Sequence, residues 1–250
     1  MMIPDVFLKQ PITHRTLHDV TAGRPENSLA GAAAAIERGY GIEIDVQISK
    51  DGVPMVFHDY SLERLTAETG AIAQRTAAEL GDIQLTHGNE GIPTLEEFLE
   101  FVDGRVPLLV EIKDQDGALG PNVGALAKTT CEVVKQYDGP VALMSFNPHT
   151  VAKCAEHAPQ IPRGLVTGAF LAKDWAFVPE KRRKELAGIL DYDRVGASFI
   201  SHNVKFLQAP VVGERKKQGA SILCWTVRTA LIEDAARAVA DNVTFEGYLA

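Results

Sequence analysis

Segments of this chain alternate in kind from one end to the other, and that alternation constrains the fold more than any other feature. Strand-like stretches read "ITHR", "GIEIDVQI", "PMVFHD", "PLLVEIK", "PVALMSF", "RGLVT", "GASFIS" and "SILCWTV". Between them lie helical stretches: "SLAGAAAAIERG", "TLEEFLEFV", "NVGALAKTTCEVVKQY", "PHTVAKCAEHA", "EKRRKELAGIL", "APVVGERKKQG" and "ALIEDAARAVA". Strands that are apolar along their whole length suit a parallel sheet covered on both faces. Eight strands alternating with helices make the count of an α/β (β/α)8 TIM barrel, with a doubly wound open sheet as the second solution. At 250 residues and 46% hydrophobic content, one barrel spanning 1–250 can bury its own core.

Helix starts have local causes. Asn27 and Ser28 offer N-caps to the alanine-rich helix, which ends near Gly39. Thr94 and Glu97 form a capping box for "TLEEFLEF", with Pro93 setting its entry. One connection is unusually long, from Asp59 to Pro93. Such a length is usually functional, so 59–93 is expected to form a small insertion, or lid, after the third strand.

Composition excludes several classes of partner. A net charge of -8 argues against a nucleic-acid or anionic-membrane surface. The basic run "KRRKE" at Lys181 to Glu185 reads as a solvated helix face. Cys131, Cys154 and Cys224 lack metal-ligand spacing and read as reduced thiols of a cytoplasmic protein. The N-terminal stretch does not read as a signal peptide, and no apolar run spans a bilayer, so no stable membrane insertion is expected.

In a parallel barrel the working residues gather at the C-terminal ends of the strands. His14 and Arg15 end the first strand, and Glu43 and Asp45 share one face of the second. His58 and Asp59 end the third, while Glu111 and Lys113 share one face of the fourth. Singly, each fragment has an ordinary explanation: a surface turn, a solvated strand face, an exposed ion pair. Trp225 could be core packing, and His18, His87, His149, His157 and His202 read as surface residues.

Coincidence at four successive strand ends points further. Three carboxylates without cysteine suit one hard divalent cation, Mg²⁺, Ca²⁺ or Mn²⁺. Arg15 and Lys113 add fixed positive charge suited to phosphoryl oxygens. His14 and His58 can divide the proton work, one ring taking a proton and the other giving one. Together these describe a metal-assisted phosphodiesterase.

The motifs "HR" at His14, "PENS" at Pro25, "GIEIDVQISKDGVPMVFHDYSLERLT" from Gly41, "IPTLEEFL" from Ile92, "VEIK" from Val110 and "CWTV" from Cys224 resemble those of the glycerophosphodiester phosphodiesterases, in the same order. The resemblance implies a (β/α)8 barrel that hydrolyses small-molecule glycerophosphodiesters to glycerol 3-phosphate and an alcohol, using a divalent cation. It implies Glu43, Asp45 and Glu111 as metal ligands and His14 and His58 as the acid-base pair. Arg15 and Lys113 would hold phosphate, and Trp225 would lie beside the glycerol moiety. Thr16 stands where such proteins commonly carry glycine, Arg228 where they carry asparagine, and Glu246 lies near an expected aspartate. Alternative readings are a phospholipase D-like enzyme forming a cyclic phosphate from lysolipids, or a metal-dependent sugar isomerase. A binding barrel with a retired site is a third, disfavoured because every residue the chemistry needs is present.

Overall fold

The computed structural model describes residues 2–250. Eight parallel strands close into a barrel: β1 (Ile12–Thr13), β2 (Gly41–Ile48), β4 (Leu108–Ile112), β5 (Val141–Ser145), β6 (Arg163–Thr167), β7 (Phe199–Asn203), β8 (Ser221–Val227) and β9 (Asn242–Phe245). Closure comes from β1, which pairs with β2 on one side and β9 on the other. The chain is therefore a (β/α)8 TIM barrel.

Seven helices on the outer wall coincide with the seven helical stretches read above: α2 (Leu29–Glu37), α4 (Leu95–Val102), α5 (Leu126–Val134), α6 (Pro148–His157), α7 (Glu180–Ala187), α8 (Pro210–Lys217) and α9 (Ala230–Ala236). Thr94 and Glu97 close the expected capping box on α4. Ser28 caps α2 by accepting from the Gly31 amide. Asn27 does not cap, because its amide is engaged by Asp45 on β2.

One strand assignment needs correction. "PMVFHD" is not the third barrel strand: β3 (Pro54–Val56) runs antiparallel to β2 as a hairpin partner. "NVTF" in β9 supplies the eighth barrel strand instead. Two strands only five residues apart can pair only as a hairpin, since a parallel return needs a crossover of a dozen residues or more. The hairpin carries the chain out beyond β2 and back, so that the Phe57 amide donates to the Asp45 carbonyl at 3.0 Å.

The 59–93 segment contains structure of its own. Helix α3 (Ala77–Asp82) starts with a capping box from Thr76 and Glu79. Met55, Phe57, Leu62, Leu65, Ile72, Leu80, Leu85 and Ile92 form a buried cluster beneath it. Glu90 ties the segment to the barrel wall by accepting from the Leu29 and Ala30 amides at 2.8 and 3.1 Å, which satisfies orphan donors at the start of α2.

Inside the barrel, Ile12, Leu109, Ala142, Phe199 and Leu223 make an apolar floor with Phe7 of α1 (Val6–Lys9) packed beneath. Gly164 makes room for that floor: a Cβ there would lie 2.4 Å from the Phe199 ring. A second close approach involves Thr16 and Gly31, where a Cβ on residue 31 would lie 2.1 Å from Thr16 Oγ1. The threonine that replaces a common glycine thus has its space left by a glycine on α2.

Gly31→Ala is expected to destabilise the fold by about 1–3 kcal/mol through overpacking. Adding Thr16→Gly should restore most of the loss, because it removes the clashing side chain and suits the positive φ of 73° at that position. Urea unfolding of the single and double variants measures both effects.

Candidate active site

Strand parity puts Glu43 and Asp45 on the inner face of β2, and parallel register sets Glu111 of β4 opposite Asp45. All three are buried, and one carboxylate oxygen from each lies within 4.8 Å of the others. Lys113 leans back over this group, its Nζ 2.6 Å from Asp45 Oδ1 and 2.7 Å from Glu111 Oε1. His14, Arg15, Glu43, Asp45, His58, Glu111, Lys113 and Trp225 all border one cavity of about 60 Å³ at the barrel mouth. A larger groove of about 810 Å³ lies outside it, bordered by none of these eight residues.

The turn after β1 is strained. Arg15 and Thr16 have φ values of 53° and 73°, in the left-handed region that a β-branched residue rarely enters. Three hydrogen bonds hold the turn there: Arg15 N–H to Glu43 Oε2 at 2.9 Å, Thr16 N–H to the Glu43 carbonyl at 3.1 Å, and Asn27 N–H to the Arg15 carbonyl at 2.9 Å. The strain brings a backbone donor and the guanidinium onto the carboxylate group, with Arg15 Nε 3.4 Å from Asp45 Oδ2. Glu26 fixes the other end of the fork, 3.0 Å from Arg15 NH1.

Charges in the cluster do not balance. Burial pushes the Glu43 carboxyl well above its ordinary pKa, and the neighbouring charges of Asp45 and Glu111 push it further. Burial also leaves Glu111 raised, despite the pull of Lys113. At Asp45 burial acts in the same direction, but Lys113, His58 and Arg15 outweigh it and hold the carboxyl well below the usual range. Three carboxylates face only two cations, Lys113 and Arg15, so the fully ionised cluster is short of positive charge. A set of three hard oxygen donors with that deficit fits a divalent cation and suggests a metal site here.

Each histidine is gripped by a carboxylate through Nδ1. His14 meets Glu246 at 2.6 Å, and His58 meets Asp59 at 2.5 Å. With Nδ1 donating, Nε2 becomes the basic nitrogen of each ring. Burial nevertheless dominates. It lowers His14 despite the Glu246 hydrogen bond, and lowers His58 to about 4 with Lys113 adding repulsion. The carboxylates are steadied in turn. Arg64 donates to both Asp59 and Glu26, and Arg228 pairs with Glu246.

Sequence reasoning missed several of these supports. Glu246 and Arg228 entered only as two unrelated departures from a family pattern, yet they form an ion pair behind His14. Asn27, read as a cap, holds Asp45 through both its amide nitrogen and oxygen. Their signal was present in the "PENS" motif, where the helix needs only Ser28. His202 is not on the surface: it is buried in β7 with Nδ1 bonded to Thr167 Oγ1 at 2.8 Å, and burial lowers its pKa to about 4. The basic run of α7 is only partly solvated, since Arg182 and Arg183 donate to loop carbonyls at the barrel mouth.

Glu246→Gln removes the carboxylate that supports the His14 imidazolium, so the His14 pKa should fall further below its present depressed value. An NMR titration of the His14 ring checks this, and an unchanged midpoint would show that Glu246 does not govern the ring.

No helix among the described residues is long and apolar enough to cross a membrane. Residues 14–244 match the model of the glycerophosphoryl diester phosphodiesterase family. A glycerophosphodiester phosphodiesterase of Caldanaerobacter subterraneus subsp. tengcongensis is 32% identical over 161 residues, covering 60% of this chain and 65% of that relative. Among solved structures, an Oleispira antarctica phosphodiesterase in complex with the product sn-glycerol-3-phosphate superposes with a TM-score of 0.77 at 26% identity, over 96% of this chain and 93% of that one. A Parabacteroides distasonis glycerophosphodiester phosphodiesterase gives a TM-score of 0.74 at 26% identity, over 94% and 91% of the two chains. A match across nearly the whole barrel, beginning at His14 itself, means that this chain belongs to the glycerophosphoryl diester phosphodiesterase family.

Proposed function

We propose that the protein hydrolyses glycerophosphodiesters to glycerol 3-phosphate and an alcohol, with one divalent cation held by Glu43, Asp45 and Glu111. The observation that carries this reading is the single cavity shared by three buried carboxylates, Arg15, Lys113 and two carboxylate-gripped histidines. Family membership supports it, as does the relative bound to sn-glycerol-3-phosphate. A hard cation in that oxygen cage supplies charge stabilisation to phosphoryl oxygens, a role open to Mg²⁺, Ca²⁺ or Mn²⁺.

The chain's own residues do the rest. Arg15 and Lys113 hold fixed positive charge beside the carboxylates, where they orient the phosphodiester and stabilise charge developing on it. His14 and His58 divide the proton work through Nε2. A ring kept neutral by burial suits the base that deprotonates the attacking hydroxyl. The partner ring gains its proton as the anionic diester approaches and delivers it to the leaving oxygen. Trp225 forms the wall beside the glycerol moiety, its ring fixed by an Nε1–H bond to the Ser201 carbonyl at 3.0 Å.

The 59–93 segment acts as a lid over one side of the mouth. Tyr60 donates from its hydroxyl to the Asp114 carbonyl at 2.7 Å, reaching across from the segment to the loop after β4. The pairing of Arg64 with Glu26 and Asp59 keeps His58 in place beneath it.

His14→Ala and His58→Ala should each lower kcat by about 10²–10⁴-fold while leaving cation affinity nearly unchanged. Glu43→Ala should instead weaken cation binding by more than about tenfold, since losing even an outer partner of a metal ligand typically costs that much. Calorimetric titration with Mn²⁺, alongside a coupled assay for glycerol 3-phosphate release with and without EDTA, separates these effects. Metal-independent turnover would overturn the cation's role, and an unchanged titration of Glu43→Ala would overturn that ligand assignment.

A further inference from the structure

A second, smaller cleft adjoins the carboxylate cavity on the side of β5, β6 and β8. Phe146 and Trp225 border both spaces, so the two lie side by side. Beyond them the cleft is walled by Phe170 and Trp175, with Asp174 at its exposed edge. The rings touch in sequence: Trp225 to Phe146 at 5.4 Å between centroids, Phe146 to Trp175 at 5.1 Å, and Trp175 to Phe170 at 5.0 Å. Their planes meet at 88°, 50° and 45°, an edge-to-face and tilted packing in which all four rings border the one cleft.

The loop that delivers the outer two rings is held in an unfavourable shape. Phe170 has φ 46°, a costly conformation for a bulky side chain, yet its ring is buried. Arg183 of α7 braces the same loop from behind, donating to the Val178 carbonyl at 3.0 Å and the Trp175 carbonyl at 3.4 Å. Phe170 fills an apolar cluster with Leu119, Val178 and Leu186, whereas Phe146, Trp175 and Trp225 stay partly exposed to the cleft. The chemistry of the walls is selective as well. No lysine or arginine borders the cleft, and its one charged residue is the carboxylate of Asp174.

We propose that this cleft receives the leaving alcohol of the diester and selects one bearing a quaternary ammonium group. The assignment rests on the phosphodiesterase reading above and names its substrate class. Aromatic faces with one carboxylate attract a cation that cannot hydrogen-bond, through the ring quadrupoles. A primary ammonium gains less, because it must exchange its water for acceptors, and the side chains lining the cleft offer only the Asp174 carboxylate and the Asn203 amide. An anionic alcohol meets Asp174 with no compensating cation.

The chain has two tryptophans, Trp175 and Trp225, and both stand in this wall, so intrinsic fluorescence reports on it without turnover. Titration with tetramethylammonium chloride should change the emission saturably, beyond any effect of sodium chloride at equal ionic strength. Asp174→Asn, at an exposed position that leaves the fold intact, should weaken that response. In the metal-loaded enzyme, Trp175→Leu should raise KM about tenfold for glycerophosphocholine while leaving KM for glycerophosphoethanolamine within about twofold. An emission change no larger than that from sodium chloride, or equal effects of Trp175→Leu on both diesters, would overturn the cleft's role. Saturable tetramethylammonium binding with no hydrolysis of either diester would instead overturn the phosphodiesterase reading on which the substrate class depends.

Discussion

Three carboxylates buried side by side repel one another and lose hydration, and much of the barrel mouth is arranged around that cost. Glu43 and Asp45 meet because side chains two apart on a strand share a face, and Glu111 joins them because β2 and β4 run parallel in register. Every cationic or donor group nearby is drawn to them. Lys113 bridges two of the acids, Asn27 gives up a capping role to hold Asp45, and Arg15 accepts a left-handed backbone to bring its amide onto Glu43. Buried ion pairs of this kind contribute little net stability, since desolvation offsets attraction. Their value lies in the local field they hold in place.

The same economy of charge extends one layer outward. Each histidine leans on a carboxylate, and each carboxylate on an arginine: His14, Glu246 and Arg228 on one side, His58, Asp59 and Arg64 on the other. Glu26 joins the second set to Arg15. Ring orientation at both histidines is thereby set by groups distant in sequence. Arg228 and Glu246 form one ion pair, so the two departures from the family pattern meet in a single contact.

Much of the site was legible from parity alone. Strand alternation identifies Glu43 with Asp45 and Glu111 with Lys113, and a TIM barrel then requires them to share a mouth. Helices were legible because caps are local, as at Ser28 and Thr94. What escaped was non-local. Whether "PMVFHD" runs with or against β2 depends on the length of the return, and "NVTF", although it alternates polar and apolar residues, is only 4 residues long, too short to stand out as the closing strand. His202 looked ordinary because its burial depends on β6 and β7 lying side by side. Glu246 and Asn27 reach their partners across 232 and 18 residues of sequence, distances over which no periodicity speaks.

The hairpin that returns His58 to the level of Asp45 also opens a segment built around its own apolar centre. That segment is moored to the rest of the chain by a few polar links, among them the Phe57 amide on Asp45, the Tyr60 hydroxyl on Asp114, the Arg64 fork on Glu26, and Glu90 at the head of α2. A module so attached can be exchanged as a cassette. Barrels of this kind can vary the shape and polarity of one rim, and with it the molecules admitted, while keeping His58 in register through a handful of retained anchor points.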